Sequence, residues 1–253
     1  VRRDHGKIIF LDLRDMSGKV QMVALPNHKE AHEKANLVRS EWVIEVIGKV
    51  NQRPEKMINK LESFGSIEIE IEELNVLSEA ALSFEKDAEL NLDTYLDYLP
   101  LTLRTKKSRA IFKIQSWIIN SFRQFFLNEN FIEIQAPKLI GEDAEGGANS
   151  FDVKYFEHTA HLAQSPQFYK QIMVGVFERV FVTGNVFRAE KHSTARHLNE
   201  YTSLDMEVGF IKDHRDVMNM ENKLLSYLIG RLAENCQKEL EFLKAELPKV
   251  PEE

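Results

Sequence analysis

Residues 67–72, Ile67-Glu68-Ile69-Glu70-Ile71-Glu72, alternate strictly between a β-branched apolar side chain and a carboxylate. Only an extended strand sends every isoleucine to one face and every glutamate to the other, so the segment is expected to be half-buried in a sheet. A lone strand is not stable in water, and the preceding residues supply partners. Lys7-Ile8-Ile9-Phe10-Leu11-Asp12-Leu13-Arg14 is apolar and β-prone, and Asp15-Met16-Ser17-Gly18 follows it with turn chemistry. Val20-Gln21-Met22-Val23 reads as a second strand, residues 28–37 as a short helix, and Trp42 to Val50 as a third strand.

Several strands, one helix and tight turns within about 75 residues point to a small β-barrel, and the OB-fold is the common nucleic-acid-binding example. Charge fits such a partner locally rather than globally. The formal net charge of the 253 residues is −7, yet residues 1–60 hold 12 Lys/Arg against 8 Asp/Glu, while residues 61–100 hold one Lys against 11 Asp/Glu. Screening over roughly 8–10 Å lets a basic module beside an acidic segment still bind phosphates. From charge alone, ordinary surface variation is the plainer reading.

A hydrophobic content of 43% with 29% charged residues fits a soluble globular protein. No run approaches the ~18 apolar residues of a membrane span, and the Val1-Arg2-Arg3-Asp4-His5 start lacks the apolar centre of a signal peptide. Cys236 is the only cysteine, which rules out an intrachain disulfide and a Cys-based zinc site. A cytoplasmic location is the resulting expectation.

Residues 76–104 read as a connector, acidic from Asp87 to Asp97, with Tyr95-Leu96-Asp97-Tyr98-Leu99-Pro100 expected as a stiff extended stretch. From Ser108, Ile111, Ile114, Ile118, Phe122, Phe125 and Phe126 recur at helical spacing and give one apolar face. The helix is expected to end near Asn128-Glu129-Asn130, followed by a strand at Phe131–Ile134 closed by Pro137. Gly141 to Gly147 reads as a flexible acidic loop. Strands are expected at Arg179–Phe187 and Tyr201–Phe210, and helix over 214–245.

Between those two strands lies the densest chemical constellation, Arg188-Ala189-Glu190-Lys191-His192-Ser193-Thr194-Ala195-Arg196-His197-Leu198-Asn199-Glu200. A hairpin would aim this loop to one side of a sheet. Arginine suits phosphate because its planar fork donates two parallel hydrogen bonds. On charge alone, a solvated hairpin tip with surface ion pairs is the plainer reading of the loop.

Phe187-Arg188-Ala189-Glu190 followed by Arg196-His197-Leu198-Asn199-Glu200 resembles motif 2 of the class II aminoacyl-tRNA synthetases, in a form similar to the archaeal-type aspartyl enzymes. The helix leading to Phe131–Pro137 resembles motif 1, which implies a homodimer through residues 108–137. Glu145-Gly146-Gly147-Ala148 resembles the family's amino-acid-binding loop, and Gln164-Ser165-Pro166-Gln167-Phe168-Tyr169-Lys170 its aspartate-binding signature. The resemblance covers almost the whole chain.

The resemblance implies roles residue by residue. Arg188 matches the catalytic arginine that contacts the ATP α-phosphate and the amino-acid carboxylate. Ala189, Glu190, Arg196, His197 and Leu198 match the part of motif 2 that meets ATP. Lys170 matches the lysine that faces the aspartate side chain, with Gln167, Phe168 and Tyr169 in the same signature. Glu145 matches the acid that closes over the substrate ammonium. In the barrel, Arg3, Phe10 and Gln21 match positions that read the anticodon, where an aromatic ring stacks on an unstacked base and polar groups read its edge. In bacterial enzymes that charge both the aspartate and asparagine tRNAs, a histidine often stands at the position of His5 and a small residue at that of Lys56. This sequence keeps the histidine and has a lysine at the second place, so the two signals conflict, and the balance leans to relaxed specificity.

The expected fold is therefore α+β: an OB-fold anticodon-binding barrel (1–75), a linker (76–104) and the N-terminal part of a class II antiparallel-sheet catalytic domain (105–253). The implied reaction is aspartate–tRNA ligation, using ATP and Mg²⁺ and delivering L-aspartate to tRNA(Asp), with tRNA(Asn) as a second acceptor. No DNA or membrane partner is implied. An asparaginyl enzyme shares the architecture but usually lacks the Gln-Ser-Pro-Gln-x-x-Lys form. A lysyl enzyme would need an acidic group in place of Lys170. A truncated non-catalytic tRNA-binding paralogue is the remaining alternative. No glycine-rich, arginine-bearing motif 3 follows residue 210, and the family's Mg²⁺-holding acids lie beside that motif. The expectation is a chain incomplete at both ends, with no metal ligands of its own and inactive alone.

Overall fold

The computed structural model describes residues 2–60, 62, 64–81, 90–142, 149–192, 194 and 197–250, and the chain divides into two units, Val1–Thr102 and Leu103–Glu253.

The first unit is built on a five-stranded sheet. Its strands are β1 (Arg2–His5), β2 (Ile8–Arg14), β3 (Lys19–Ala24), β4 (Val43–Gln52) and β5 (Ile67–Ser78), in the order β1-β2-β3-β5-β4, with α1 (Lys29–Leu37) between β3 and β4. All neighbours are antiparallel except β3 and β5. Alternate residues Ile9, Leu11, Met22, Ala24 and Ile71 face one core, which α1 completes with Ala31 and Ala35. Leu74 is as buried as Ile71, at 1% and 0% exposed, although it stands three positions further on, an odd step that breaks the alternation. A bulge resolves this change of phase. Ile47 pairs with Glu73 and Gly48 with Ile71, so Glu72 is the extra residue. Gly48 is required there, because a Cβ would lie 2.1 Å from the Glu70 carbonyl oxygen.

The acidic connector departs from the expected extended stretch. Tyr95–Asp97 lies in α2 (Leu92–Asp97) and Leu99-Pro100 in α3 (Leu99–Thr102), with Tyr98 as the turn between them. Asn91 starts α2, its side-chain oxygen accepting from the Thr94 amide at 2.8 Å. Pro100 is tolerated because it stands in the first turn of α3, where its missing N–H has no helical partner to lose.

The second unit opens with α4 (Lys106–Asn128), whose start is fixed by Thr105, its hydroxyl accepting from the Ser108 amide. The short strand β6 (Ile132–Glu133) then runs parallel to β10 (Arg179–Phe187), which pairs antiparallel with β11 (Glu200–Val208). A separate three-stranded sheet holds β7 (Leu139–Ile140), β8 (Asp152–Tyr155) and β9 (His158–Leu162), in the order β7-β9-β8. α5 (Gln167–Phe177) precedes β10; α6 (His214–Asn235) and α7 (Gln237–Leu243) follow β11, separated at buried Cys236.

The β10–β11 hairpin has two unlike faces. On one, Phe181, Leu204, Met206 and Val208 meet Phe122, Phe125 and Phe126 of α4. Phe126 is fully buried, with its ring 4.8 Å from Phe122 and from Phe131 and stacked 5.6 Å from Phe181. On the other face Val180 and Val182 lie under Met173 and Val174 of α5. Pairing keeps Tyr201, Ser203, Asp205 and Glu207 on this second face, opposite Val186, Gly184, Val182 and Val180. No helix among the described residues is long and apolar enough to cross a membrane.

Candidate functional site

The second face of the hairpin gathers the charged groups. Lys170 sits in the first turn of α5 and is only 5% exposed. Its ammonium donates to Asp205 Oδ1 at 3.3 Å and to the Met206 carbonyl at 3.4 Å, and pairs with Glu207 Oε2 at 3.4 Å. The Ser203 hydroxyl donates to the other oxygen of Asp205. A buried ammonium held by two carboxylates is a fixed point charge rather than a surface lysine.

Arg188 stands where β10 gives way to the loop. Its amide donates to the Asn199 carbonyl at 2.9 Å, its Nε lies 3.5 Å from the Gln164 carbonyl, and its guanidinium lies over the Tyr201 ring at 5.8 Å. The neighbouring backbone is pinned by Phe187 donating to the Ala163 carbonyl and Ala189 donating to the Asn149 carbonyl. Tyr201 to Asp205 spans about 13 Å of extended strand. Arg188 thus marks one end of the charged face and Lys170 the other. Glu190 is half-buried, its amide donating to the Arg188 carbonyl at 2.8 Å.

The other motif residues are more dispersed. Gln167 is one helical turn before Lys170 and shares its side of α5, whereas Phe168, at 58% exposed, lies on the far side. Tyr169 is half-buried and edge-on to Phe168. At the hairpin tip, His197 Nδ1 and the Thr194 hydroxyl are 2.7 Å apart, and Leu198 is exposed. Arg196 and Glu145 lie outside the described residues.

In the first unit, β1 and β2 bring Arg3 opposite Phe10, and β2 and β3 bring Asp12 opposite Gln21. These side chains share the face turned away from the Ile9–Leu11 core. The Arg3 guanidinium reaches Asp12 at 3.2 Å and Gln21 at 3.4 Å, and the Gln21 amide donates to Glu68 at 3.3 Å. His5 stands edge-on to Phe10 with ring centroids 6.1 Å apart. The face therefore offers an accessible aromatic ring framed by donors and acceptors, the arrangement that stacks and reads an unpaired base. Lys56 is exposed in the short 3₁₀ turn Glu55–Met57.

Comparison with known proteins matches residues 91–252 to the tRNA synthetases class II (D, K and N), and residues 1–77 to the OB-fold nucleic acid binding domain. The chain belongs to the class II tRNA synthetases. It is 44% identical over 255 residues to an aspartate–tRNA(Asp/Asn) ligase of Deinococcus radiodurans, covering 99% of this chain and 55% of that protein. It is 42% identical over 259 residues to an aspartate–tRNA(Asp) ligase of Pyrococcus abyssi, covering 98% and 57%. Among solved structures, the asparaginyl-tRNA synthetase of Pyrococcus horikoshii complexed with asparaginyl-adenylate superposes with a TM-score of 0.89 at 33% identity, covering 99% of this chain and 57% of that one. The chain spans a little over half the length of these relatives.

Three groups on the charged face of this synthetase escape motif reading. Asp205 and Glu207 carry a visible signal, since Ser203, Asp205 and Glu207 alternate with Leu204, Met206 and Val208 and so lie opposite the apolar face. Lys138 carries no such signal. It follows Pro137 in sequence, but its ammonium lies over Gly184 of β10, 3.2 Å from where a Cβ would stand. Burial pushes the Lys138 ammonium below the usual lysine range, and the Asp205 charge partly restores it.

Proposed function

We propose that the full protein carrying this chain is an aspartate–tRNA ligase. It joins L-aspartate to ATP, forming aspartyl-adenylate and releasing pyrophosphate, and then transfers the aspartyl group to the 3′ end of tRNA(Asp). The observation that carries this reading is Lys170, a buried ammonium on the charged face of the hairpin, of the kind that recognises a side-chain carboxylate. A neutral amide substrate has no need of it. The higher sequence identity to aspartate ligases supports the same choice over an asparagine ligase.

In the proposed reaction an oxygen of the substrate α-carboxylate attacks the α-phosphorus and the bond to pyrophosphate breaks. Positioning and charge stabilisation dominate such transfers. Arg188 holds the α-carboxylate and α-phosphate together as negative charge shifts to the leaving group. Ala189, Glu190, Arg196, His197 and Leu198 line the nucleotide side. Gln167, Phe168, Tyr169, Lys170 and Glu145 serve the amino acid. Among the described residues no three His, Cys, Asp or Glu side chains are grouped to hold a metal; Mg²⁺ commonly enters such sites on nucleotide phosphates. Arg3, Phe10 and Gln21 are assigned to the tRNA anticodon, and a homodimer and a cytoplasmic location complete the proposal.

The His5 ring beside Phe10 favours a second acceptor, tRNA(Asn), because it stands next to the ring assigned to stacking. Lys56 speaks for the stricter enzyme. ATP–pyrophosphate exchange with aspartate and with asparagine tests the amino acid, and charging of the two purified tRNAs tests the acceptor. Exchange with asparagine alone would overturn the proposal.

A further inference from the structure

Lys170 faces two carboxylates, Asp205 and Glu207, so this cluster alone carries net negative charge. Such a cluster repels the dicarboxylic substrate that Lys170 is proposed to bind. Lys138 supplies the balancing cation. Its side chain crosses β10 in the space left by the missing side chain at Gly184, and its charge acts on Asp205. Gly184 pairs with Ser203, whose hydroxyl donates to Asp205, so the three positions are adjacent on one face. The backbone of Lys138 is fixed by its carbonyl, which accepts from the Ala163 amide at 2.9 Å, while the Ala163 carbonyl accepts from Phe187. Lys138 is thus tied to the strand end that carries Arg188.

We infer that Lys138 is a positioning and specificity residue: it offsets Asp205, frees the Lys170 charge for the substrate side-chain carboxylate, and so sets the preference for an acidic over a neutral amino acid. The inference rests on the aspartate reading above. It assigns Lys138 no contact with the reacting atoms. With Lys138 in place, two lysines balance two carboxylates and the approaching carboxylate meets no net repulsion. Without it, the same carboxylate approaches an anionic pocket.

The test uses the full-length protein and two neutral variants, Lys138→Met and Lys138→Gln, beside the charge-conserving Lys138→Arg. ATP–pyrophosphate exchange is measured across aspartate and ATP concentrations. Either neutral variant is expected to raise the aspartate KM about ten-fold, equivalent to ~1.4 kcal/mol, with the ATP KM and kcat changed much less. Lys138→Arg is expected to restore most of the aspartate KM. An unchanged aspartate KM, a parallel rise for ATP, a loss confined to kcat, or no rescue by arginine would each overturn the inference. So would two neutral variants that fail to fold, since Lys138 would then be a structural residue. A wild-type enzyme that does not use aspartate fails the functional reading itself, a result distinct from all of these.

Discussion

Lys170→Met separates the charge of this residue from its packing. Methionine keeps the unbranched apolar stem and deletes the ammonium. In the protein, the Lys170 side chain is 6% exposed and the carboxylates of Asp205 and Glu207 are 20% and 28% exposed. Removing one partner of a fully buried ion pair costs about 3–5 kcal/mol, because the other is left charged away from water. Partial access of both carboxylates to solvent reduces this to about 2 kcal/mol. For a unit of this size such a loss lowers the Tm by about 4–8 °C. Substrate binding loses in addition one charge-assisted hydrogen bond, about 1.5–3 kcal/mol, so the aspartate KM should rise by about ten- to a hundred-fold with little change for ATP. Thermal denaturation and pyrophosphate exchange on the same preparation measure the two effects. Adding Glu207→Gln should recover part of the stability and none of the aspartate affinity. A Lys170→Met protein with wild-type Tm and wild-type aspartate KM would refute both the structural and the functional account of this residue.

Arg188→Ala should abolish adenylate formation, and normal pyrophosphate exchange in that variant would sink the assignment of the loop. Phe10→Ala should leave exchange intact and raise the tRNA concentration needed for charging by the ~1–3 kcal/mol of one lost base stack; unchanged charging at limiting tRNA would remove the barrel face from tRNA reading. Phe126→Ala should destabilise the second unit by about 3–5 kcal/mol, read as a drop in the urea midpoint at constant slope, and a loss below ~1 kcal/mol would mean that the phenylalanine cluster is not its core.

Periodicity revealed most of the regular elements. The isoleucine alternation led directly to β5, and the helical spacing of Ile111 to Phe126 led to α4. No hydrophobic period marks the strand at Arg2–His5, whose four residues are all exposed and none apolar; pairing with β2 makes it a strand. Alternation does not reach the end of β5, because the bulge at Glu72 changes the phase that a periodic pattern must keep. Over Leu92–Asp97 the proline at position 100 suggests extended chain, and the Asn91 cap makes it a helix instead. At the candidate site, Lys170 and Arg188 were legible as members of motifs. Lys138 was not, because its place over Gly184 comes from pairing between segments over forty residues apart, and no local pattern encodes that.

The two faces of the β10–β11 hairpin impose a reading frame on the chain. Inserting one residue within β11 ahead of Leu204 would rotate Asp205 and Glu207 into the phenylalanine cluster and turn Leu204 and Met206 onto the face of Lys170, damaging the core and the ion pairs at once. The same insertion between Lys191 and Leu198 would leave that parity intact, since the strands on either side keep their partners. As far as sheet register goes, length variation is therefore tolerable in the stretch between the strands and excluded from the strand that carries the carboxylates. The loop length can change without disturbing the pairing that sets Asp205 and Glu207 against Lys170.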